Sequence, residues 1–474
     1  MKSRVESDSI GSMEIPADAY YGVQSLRAKN NFRITGRRMD AAFIVSLAQI
    51  KKAAAVTNRE TGGLEAGTAD AIVRACDEII GGRLHEAFIV DPIQGGAGTS
   101  ANMNANEVIA NRAIELLGGR KGDYSVVHPN DDVNMSQSTN DVFPTAGKLT
   151  MLKLMPGLIG ELRRLNGAFE RKAEEFDGVV KMGRTQLQDA VPVRLGQEFG
   201  AWACAVRRDV VRLTKAQDEM RRINLGGTAI GTAINASPAY VSRITANLQK
   251  VCGIGLAQAG NLIDATQNLD AFVSVSGVLK TCAVDLSKIS NDLRLLSSGP
   301  RTGIGEIVLP AKQNGSSIMP GKVNPVVPEV VSQVAFNVIG NDCTATLAAE
   351  AGQLELNAFE PVLFYNLFES VESLEGAVRT LVDNCVLGIA ADRENCRRHL
   401  QASVGVVTAL SPYVGYAKCA ALAKESLKTG VPVAELAESR LALSPEKLSE
   451  ILDPAAMTGP ARRRLRRAAE RVSV

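Results

Sequence analysis

Gly315-Ser316-Ser317-Ile318-Met319-Pro320-Gly321-Lys322-Val323-Asn324-Pro325 is the stretch that organises the reading of this chain. Two glycines and two prolines in eleven residues exclude a regular helix or strand, so the segment is a loop. Its polar side chains are small or cationic: Ser316, Ser317, Lys322 and Asn324. A long helical pattern begins immediately afterwards, at about Val326. A polar, glycine-bearing loop anchored on a rigid helix is a common place for chemistry. By composition alone it could equally be a solvated turn.

Working outward, helical periodicity dominates from about Asp40. Apolar residues recur at three- and four-residue spacing over 41–61 and 68–80. A helix is expected over about 105–117. Three very long helices are expected at about 144–176, 192–223 and 269–297, and two more at about 326–350 and 361–390. Helices near 30 residues exceed the usual mean of about 11–12. They imply rods about 45 Å long, which only a bundle can bury. The fold class expected is therefore mainly all-α, a long central helical bundle flanked by smaller terminal domains. The division is 1–140, 141–395 and 396–474. Residues 1 to about 38 show little period and read as a packed arm. Shorter helices are expected near 405–427 and 432–440.

Composition narrows the function. The chain has 474 residues, 45% hydrophobic, with a net charge of +2. That balance gives no reason to expect nucleic acid as a partner. No stretch reaches the roughly 18 apolar residues of a membrane span. The eight cysteines are scattered and never form CxxC pairs, which argues against a zinc site or a disulfide scaffold and for buried free thiols. Met1 to Glu6 carries no apolar run, and a cytoplasmic location is expected. The basic run Arg462 to Arg467 reads as a solvated helix end. Gly95-Gly96-Ala97-Gly98 lacks the GxGxxG spacing and a clear βαβ unit, so a nicotinamide site is disfavoured.

The string GSSIMPGKVNP resembles the signature loop of the aspartase/fumarase superfamily. The resemblance runs from Pro16-Ala17-Asp18-Ala19-Tyr20-Tyr21-Gly22-Val23 to beyond Ser411-Pro412. It implies a homotetramer around a bundle of twenty helices, with sites shared by three subunits. It also implies a small dicarboxylate substrate, L-aspartate or fumarate. Four polar segments would build the site: Gly98-Thr99-Ser100, Ser138-Thr139-Asn140, Gly183-Arg184-Thr185-Gln186 and the 315–325 loop. Carried over by position, Thr99, Ser138, Thr139 and Ser317 would hold the β-carboxylate. Thr185, Lys322 and Asn324 would hold the α-carboxylate, Asn140 would lie near the leaving group, and Ser316 would be the base. Taken singly, each Ser or Thr is an ordinary helix cap.

Within the superfamily the ammonia-lyase branch fits best. In fumarases the Gly-Arg-Thr motif is followed by a histidine; here Gln186 stands there. A glutamine amide cannot pass a proton to a departing hydroxide, whereas the ammonium of aspartate needs no acid to leave. The stretches 326–330 and 352–361 agree with that branch. A fumarase-type hydratase and a non-catalytic scaffold, such as the superfamily's lens proteins, are the alternatives; the intact polar set weighs against the scaffold. His128-Pro129-Asn130-Asp131 resembles a second anion site of fumarases, but Ser125 stands where an upstream arginine belongs. No cofactor is expected. Divalent-cation activation, seen among aspartases, is left undecided, because no His/Asp/Glu cluster has ligand spacing.

Overall fold

The computed structural model of the chain describes residues 2–459. In chain order, a hairpin of β1 (Ser3–Asp8) and β2 (Gly11–Pro16) leads to α1 (Val23–Asn31), α2 (Ala41–Glu60), α3 (Ala66–Ile80) and α4 (Thr99–Leu116). Then come α5 (Thr139–Glu175), a hairpin of β3 (Val180–Thr185) and β4 (Gln188–Arg194), α6 (Leu195–Met220) and α7 (Pro238–Cys252). The short α8 (Asp264–Gln267) precedes α9 (Asp270–Leu296), α10 (Val326–Glu350) and α11 (Glu360–Asn384). Last are α12 (Arg393–Ala402), α13 (Ser411–Val414), α14 (Tyr416–Thr429), α15 (Val433–Arg440) and α16 (Pro445–Ile451). The fold is mainly helical, as expected, and its sheets are two-stranded. The basic run Arg462 to Arg467 lies outside the described residues. Among the described residues, no helix is long and apolar enough to cross a membrane.

Local chemistry accounts for the helix ends. Asp40 caps α2 by accepting from the backbone N–H of Ala42 and Phe43. Ser237 and Ser444 cap α7 and α16, each followed by proline at the first helical position. Both ends of α10 fall where the periodicity put them. The first long helix instead starts at Thr139, because Ser138 and Asp141 cap it upstream of Pro144. The second starts at Leu195, because residues 188–194 pair as β4 with β3. Residues 1–38 are not a patternless arm: β1 pairs with β2 in register Ser3↔Pro16 to Asp8↔Gly11, and α1 follows. The single helix expected near 405–427 is broken. A 3₁₀ segment over Val404–Leu410 and α13 precede Gly415, whose φ of 88° separates them from α14.

The chain forms two compact units. One comprises Met1–Ile159, Val211–Ala283 and Phe336–Glu375. Its core holds a cluster of phenylalanine rings, Phe43, Phe143, Phe272, Phe364 and Phe368, with centroid separations of 4.9–6.2 Å. These rings join α2, α5, α9 and α11, and each buries a large apolar area. The other unit comprises Gly160–Val210, Val284–Ala335 and Gly376–Val474. Phe169, Phe176, Phe199 and Trp202 interlock α5 and α6 there. Leu410, Leu422, Val433, Leu436, Leu448 and Ile451 make a smaller core among its last helices.

Candidate active site

In the first unit, the N-termini of α4 and α5 come together. Gly98 precedes α4 with φ 85°, and a Cβ there would lie 2.4 Å from the Phe143 ring on α5, so only glycine permits this approach. Asn102, one turn into α4, donates from Nδ2 to Thr139 Oγ1 at 3.2 Å. Thr99 is the first residue of α4 and is exposed. Ser138 Oγ accepts from the N–H of Asn140 at 3.2 Å. Two helix N-termini directed at one place favour an anion there.

A cleft of about 350 Å³ opens at this point, lined by Ser138, Thr139, Asn102, Asn134, Gln137 and Thr228, among others. The opposite wall is the loop 224–237, held by Asp141. One carboxylate oxygen accepts from Ser138 N–H at 2.9 Å, and the other from Gly226 and Thr228 N–H, each at 3.0 Å. Thr228 thereby sits at φ 56°, an unfavourable conformation for a β-branched residue. Asn140 Nδ2 donates to the Ala229 carbonyl at 2.7 Å, which leaves Oδ1 as the acceptor of that amide. Asn102 Oδ1, Gln137 Oε1 and Thr228 Oγ1 are buried without a hydrogen-bond partner. Unpaired buried polar atoms are rare in native cores, and three around one cleft mark a polar ligand site.

Burial sets the electrostatics here. Asp141 is raised to about 6 by burial, against its three backbone donors and Lys51. Lys51, wholly buried on α2, is lowered to about 7 by burial, opposed by Asp141 and the Cys76 thiol. Its Nζ donates to Asn134 Oδ1 at 2.8 Å.

The second unit carries the other two segments. Thr185 and Gln188 flank a two-residue hairpin turn whose central residues, Gln186 and Leu187, have φ of 51° and 62°. Positive φ at both positions is the primed geometry that matches strand twist, normally taken by Asn or Gly. Such strain tends to persist at functional sites. The turn presents Thr185, Gln186 and Leu187 to solvent. Behind it, Arg184 pairs with the buried Glu306.

The 315–325 loop closes on itself. Gly315 N–H donates to the Lys322 carbonyl at 2.8 Å, and Asn324 Nδ2 donates to the Gly315 carbonyl at 2.8 Å. A Cβ on Gly315 would lie 2.6 Å from the Lys322 carbonyl oxygen, so the neck requires glycine. Ser316 Oγ accepts two backbone N–H bonds, from Ile318 at 3.2 Å and Met319 at 3.0 Å. Both bonds strengthen if that oxygen carries negative charge. Ser317, Lys322 and the tip residue Ile318, 84% exposed, face solvent. Thr99, Ser138, Thr139 and Asn140 thus belong to the first unit, and Thr185, Gln186, Ser316, Ser317, Lys322 and Asn324 to the second.

Comparison with known proteins decides the family. A family model described as "Lyase" matches residues 11–340, and one described as "Fumarase C C-terminus" matches 406–459. The chain belongs to the aspartase/fumarase superfamily. Similar superfamily members include an aspartate ammonia-lyase of a Bacillus species, 53% identical over 96% of this chain and 98% of that one. The aspartate ammonia-lyase of Bacillus subtilis is 51% identical, covering 96% of both chains. Among solved structures, a fumarate lyase:delta crystallin of Brucella melitensis bound to cobalt has a TM-score of 0.94 and 54% identity, covering 97% of this chain and 100% of that one. A class II fumarase of Schistosoma mansoni has a TM-score of 0.93 at 36% identity, with the same coverage.

Sequence reading of this superfamily member missed Lys51, Asn102, Asn134, Asp141 and Thr228 as parts of the site. For Lys51 a signal existed: it lies seven residues after Ile44 and four after Leu47, in phase with the buried face of α2. For Thr228 none did, because its strain comes from a contact 87 residues away. His128 acts as a local cap, its Nδ1 accepting from Asn130 and Asp131 N–H. The eight cysteines form no disulfide, but burial is not general: Cys343 is exposed on α10, and Cys204 and Cys252 are half-buried.

Proposed function

We propose that the protein is an aspartate ammonia-lyase, converting L-aspartate reversibly to fumarate and ammonia. The observation that carries this reading is the 53% identity, over 96% of the chain, to an enzyme of that name. Gln186 at the tip of the β3–β4 turn supports it, since an amide cannot serve as acid or base for water.

In the proposed mechanism Ser316 Oγ, ionised and held by the Ile318 and Met319 amides, takes a proton from the carbon beside the β-carboxylate. The electron pair moves into that carboxylate, giving a dianionic aci-acid. Thr99, Ser138, Thr139 and Ser317 would donate to its oxygens, and donors aimed at developing charge stabilise the transition state more than the ground state. The pair then returns to form the double bond as the C–N bond breaks. The ammonium leaves as neutral ammonia with the bonding electrons, so no acid is needed. Asn140 Oδ1 suits that ammonium, and Lys322, Asn324 and Thr185 suit the α-carboxylate, with Gln186 beside them. All donors and acceptors come from the chain and the substrate, so the sequence of steps requires no cofactor.

The proposal includes a homotetramer with sites shared among subunits. Phe336, Ile339, Cys343 and Leu347 form a stripe at helical spacing on α10; Phe336 is 63% and Leu347 62% exposed. An apolar stripe of that kind needs a partner, and a second copy would supply one. Eight cysteines without a disulfide among them fit a cytoplasmic location.

The test is ultraviolet absorbance of fumarate formed from aspartate and, separately, from malate. Production from aspartate alone is expected. Equal rates from malate would overturn the reading of Gln186.

A further inference from the structure

Lys51 has no part in the proposed mechanism, yet it is the largest charged side chain wholly inside the core of the first unit. A lysine buried among apolar residues is costly, and Met would fill the same space without that cost. It makes no ion pair among the described residues. Its one hydrogen bond runs to Asn134 Oδ1, at 2.8 Å. The same oxygen accepts from Asn102 Nδ2 at 3.1 Å and from Asn106 Nδ2 at 3.2 Å. The second hydrogen of Asn102 Nδ2 goes to Thr139 Oγ1, at 3.2 Å. A continuous chain therefore runs from the Lys51 ammonium through Asn134 and Asn102 to a hydroxyl in the wall of the cleft.

The direction of that chain matters. A threonine hydroxyl has one proton to donate. With Asn102 donating into Thr139 Oγ1, the hydroxyl's own proton is turned away from Asn102 and becomes available to an acceptor in the cleft. Lys51 and Asn102 donate to the same oxygen, so Lys51 acts by fixing the place of Asn134 Oδ1, the anchor that holds the Asn102 amide against Thr139. Asn134 and Asn102 are held against rotation at the same time: Asn134 Nδ2 is committed to the Gln137 carbonyl at 3.2 Å. We infer that Lys51 is a positioning residue for the carboxylate end of the site, acting through Asn134 and Asn102 to orient the Thr139 hydroxyl toward the substrate β-carboxylate. This rests on the ammonia-lyase reading.

The experiment is a double-mutant cycle on aspartate deamination: wild type, Lys51→Met, Thr139→Ala and the double variant, with kcat and KM measured separately. Thr139→Ala is expected to lower kcat/KM by about 100-fold, the lower range for loss of one such donor. Lys51→Met is expected to lower it about 30-fold in the wild-type background, mainly in kcat, and less than about threefold when Thr139 is already alanine. A purely structural lysine would impose the same factor in both backgrounds, and equal factors overturn the inference. So does a Lys51→Met enzyme within about threefold of wild type. If Lys51→Met does not fold, the cycle is run with Asn102→Ala against Thr139→Ala, because additive losses at this link leave Lys51 no route to the hydroxyl. Wild-type protein that makes no fumarate from aspartate overturns the ammonia-lyase reading itself; active wild type with additive losses overturns the role of Lys51 alone.

Discussion

Arg184 Nη1 lies 2.9 Å from one carboxylate oxygen of Glu306 and 3.0 Å from the other. Glu306 is wholly buried and also meets Lys181 Nζ at 2.9 Å and His399 Nδ1 at 3.1 Å. One carboxylate thus neutralises a buried lysine and fixes the arginine that precedes Thr185 and Gln186. Glu306→Ala would leave Lys181 with Glu198 alone. The expected destabilisation is about 3–5 kcal/mol, the range for removing one partner of a buried pair. Urea denaturation measures it; a loss under about 1 kcal/mol would mean that the cluster behaves as a surface pair.

Ser316→Ala is expected to leave the circular dichroism spectrum unchanged, since the side chain bonds only within its own loop. Turnover should fall by about 10²–10⁴-fold, the usual contribution of a positioned base. Fumarate absorbance reads this directly, and near wild-type turnover removes Ser316 from the mechanism.

Lys322 is exposed and takes part in loop closure only through its backbone. Lys322→Ala should therefore act on binding. A KM for aspartate raised by about 10–100-fold is expected, from loss of about 1.5–3 kcal/mol in a charged hydrogen bond. An unchanged KM with full activity contradicts that role.

Two buried groups near the cleft, Asp141 and Lys51, make stability depend on pH. Asp141, at about 6 when folded, keeps a proton that the unfolded chain has released above about 3.9, so stability falls as pH rises from about 4 to 6. Lys51, at about 7 when folded, releases a proton that the unfolded chain keeps until about 10.4, so stability climbs again from about pH 7 to 10. Melting temperature should show a smaller upper rise in Lys51→Met than in wild type, the remainder coming from Lys153, which burial lowers to about 8. A rise of the same size in both proteins would assign it to other groups.

Phe336 stands on the exposed apolar stripe of α10, away from every proposed site residue in sequence. Phe336→Glu should yield a smaller species by light scattering together with loss of activity. A variant still four times the 50.3 kDa chain mass, and fully active, would place the assembly contact elsewhere.

The sequence by itself determined what depends on neighbours along the chain. Val326–Glu350 could be delimited at both ends because its period is uninterrupted and Pro325 stops it. The 315–325 loop was legible because glycine and proline exclude the alternatives, and its motif pointed to the superfamily. Tertiary structure decided the rest. Residues 188–194 became a strand only because β3 pairs with them, and the expected 405–427 helix broke at a glycine whose φ no local pattern announces. The two amides on Ser316 Oγ follow from how the loop closes through Gly315 and Lys322, not from residue type. The phase of Lys51 on the buried face of α2 is legible, but what it meets there is decided only when Asn134, 83 positions later, is brought onto its ammonium. Burial and long-range hydrogen bonds arise only when distant segments meet, which is why periodicity located the helices but not the network behind Thr139.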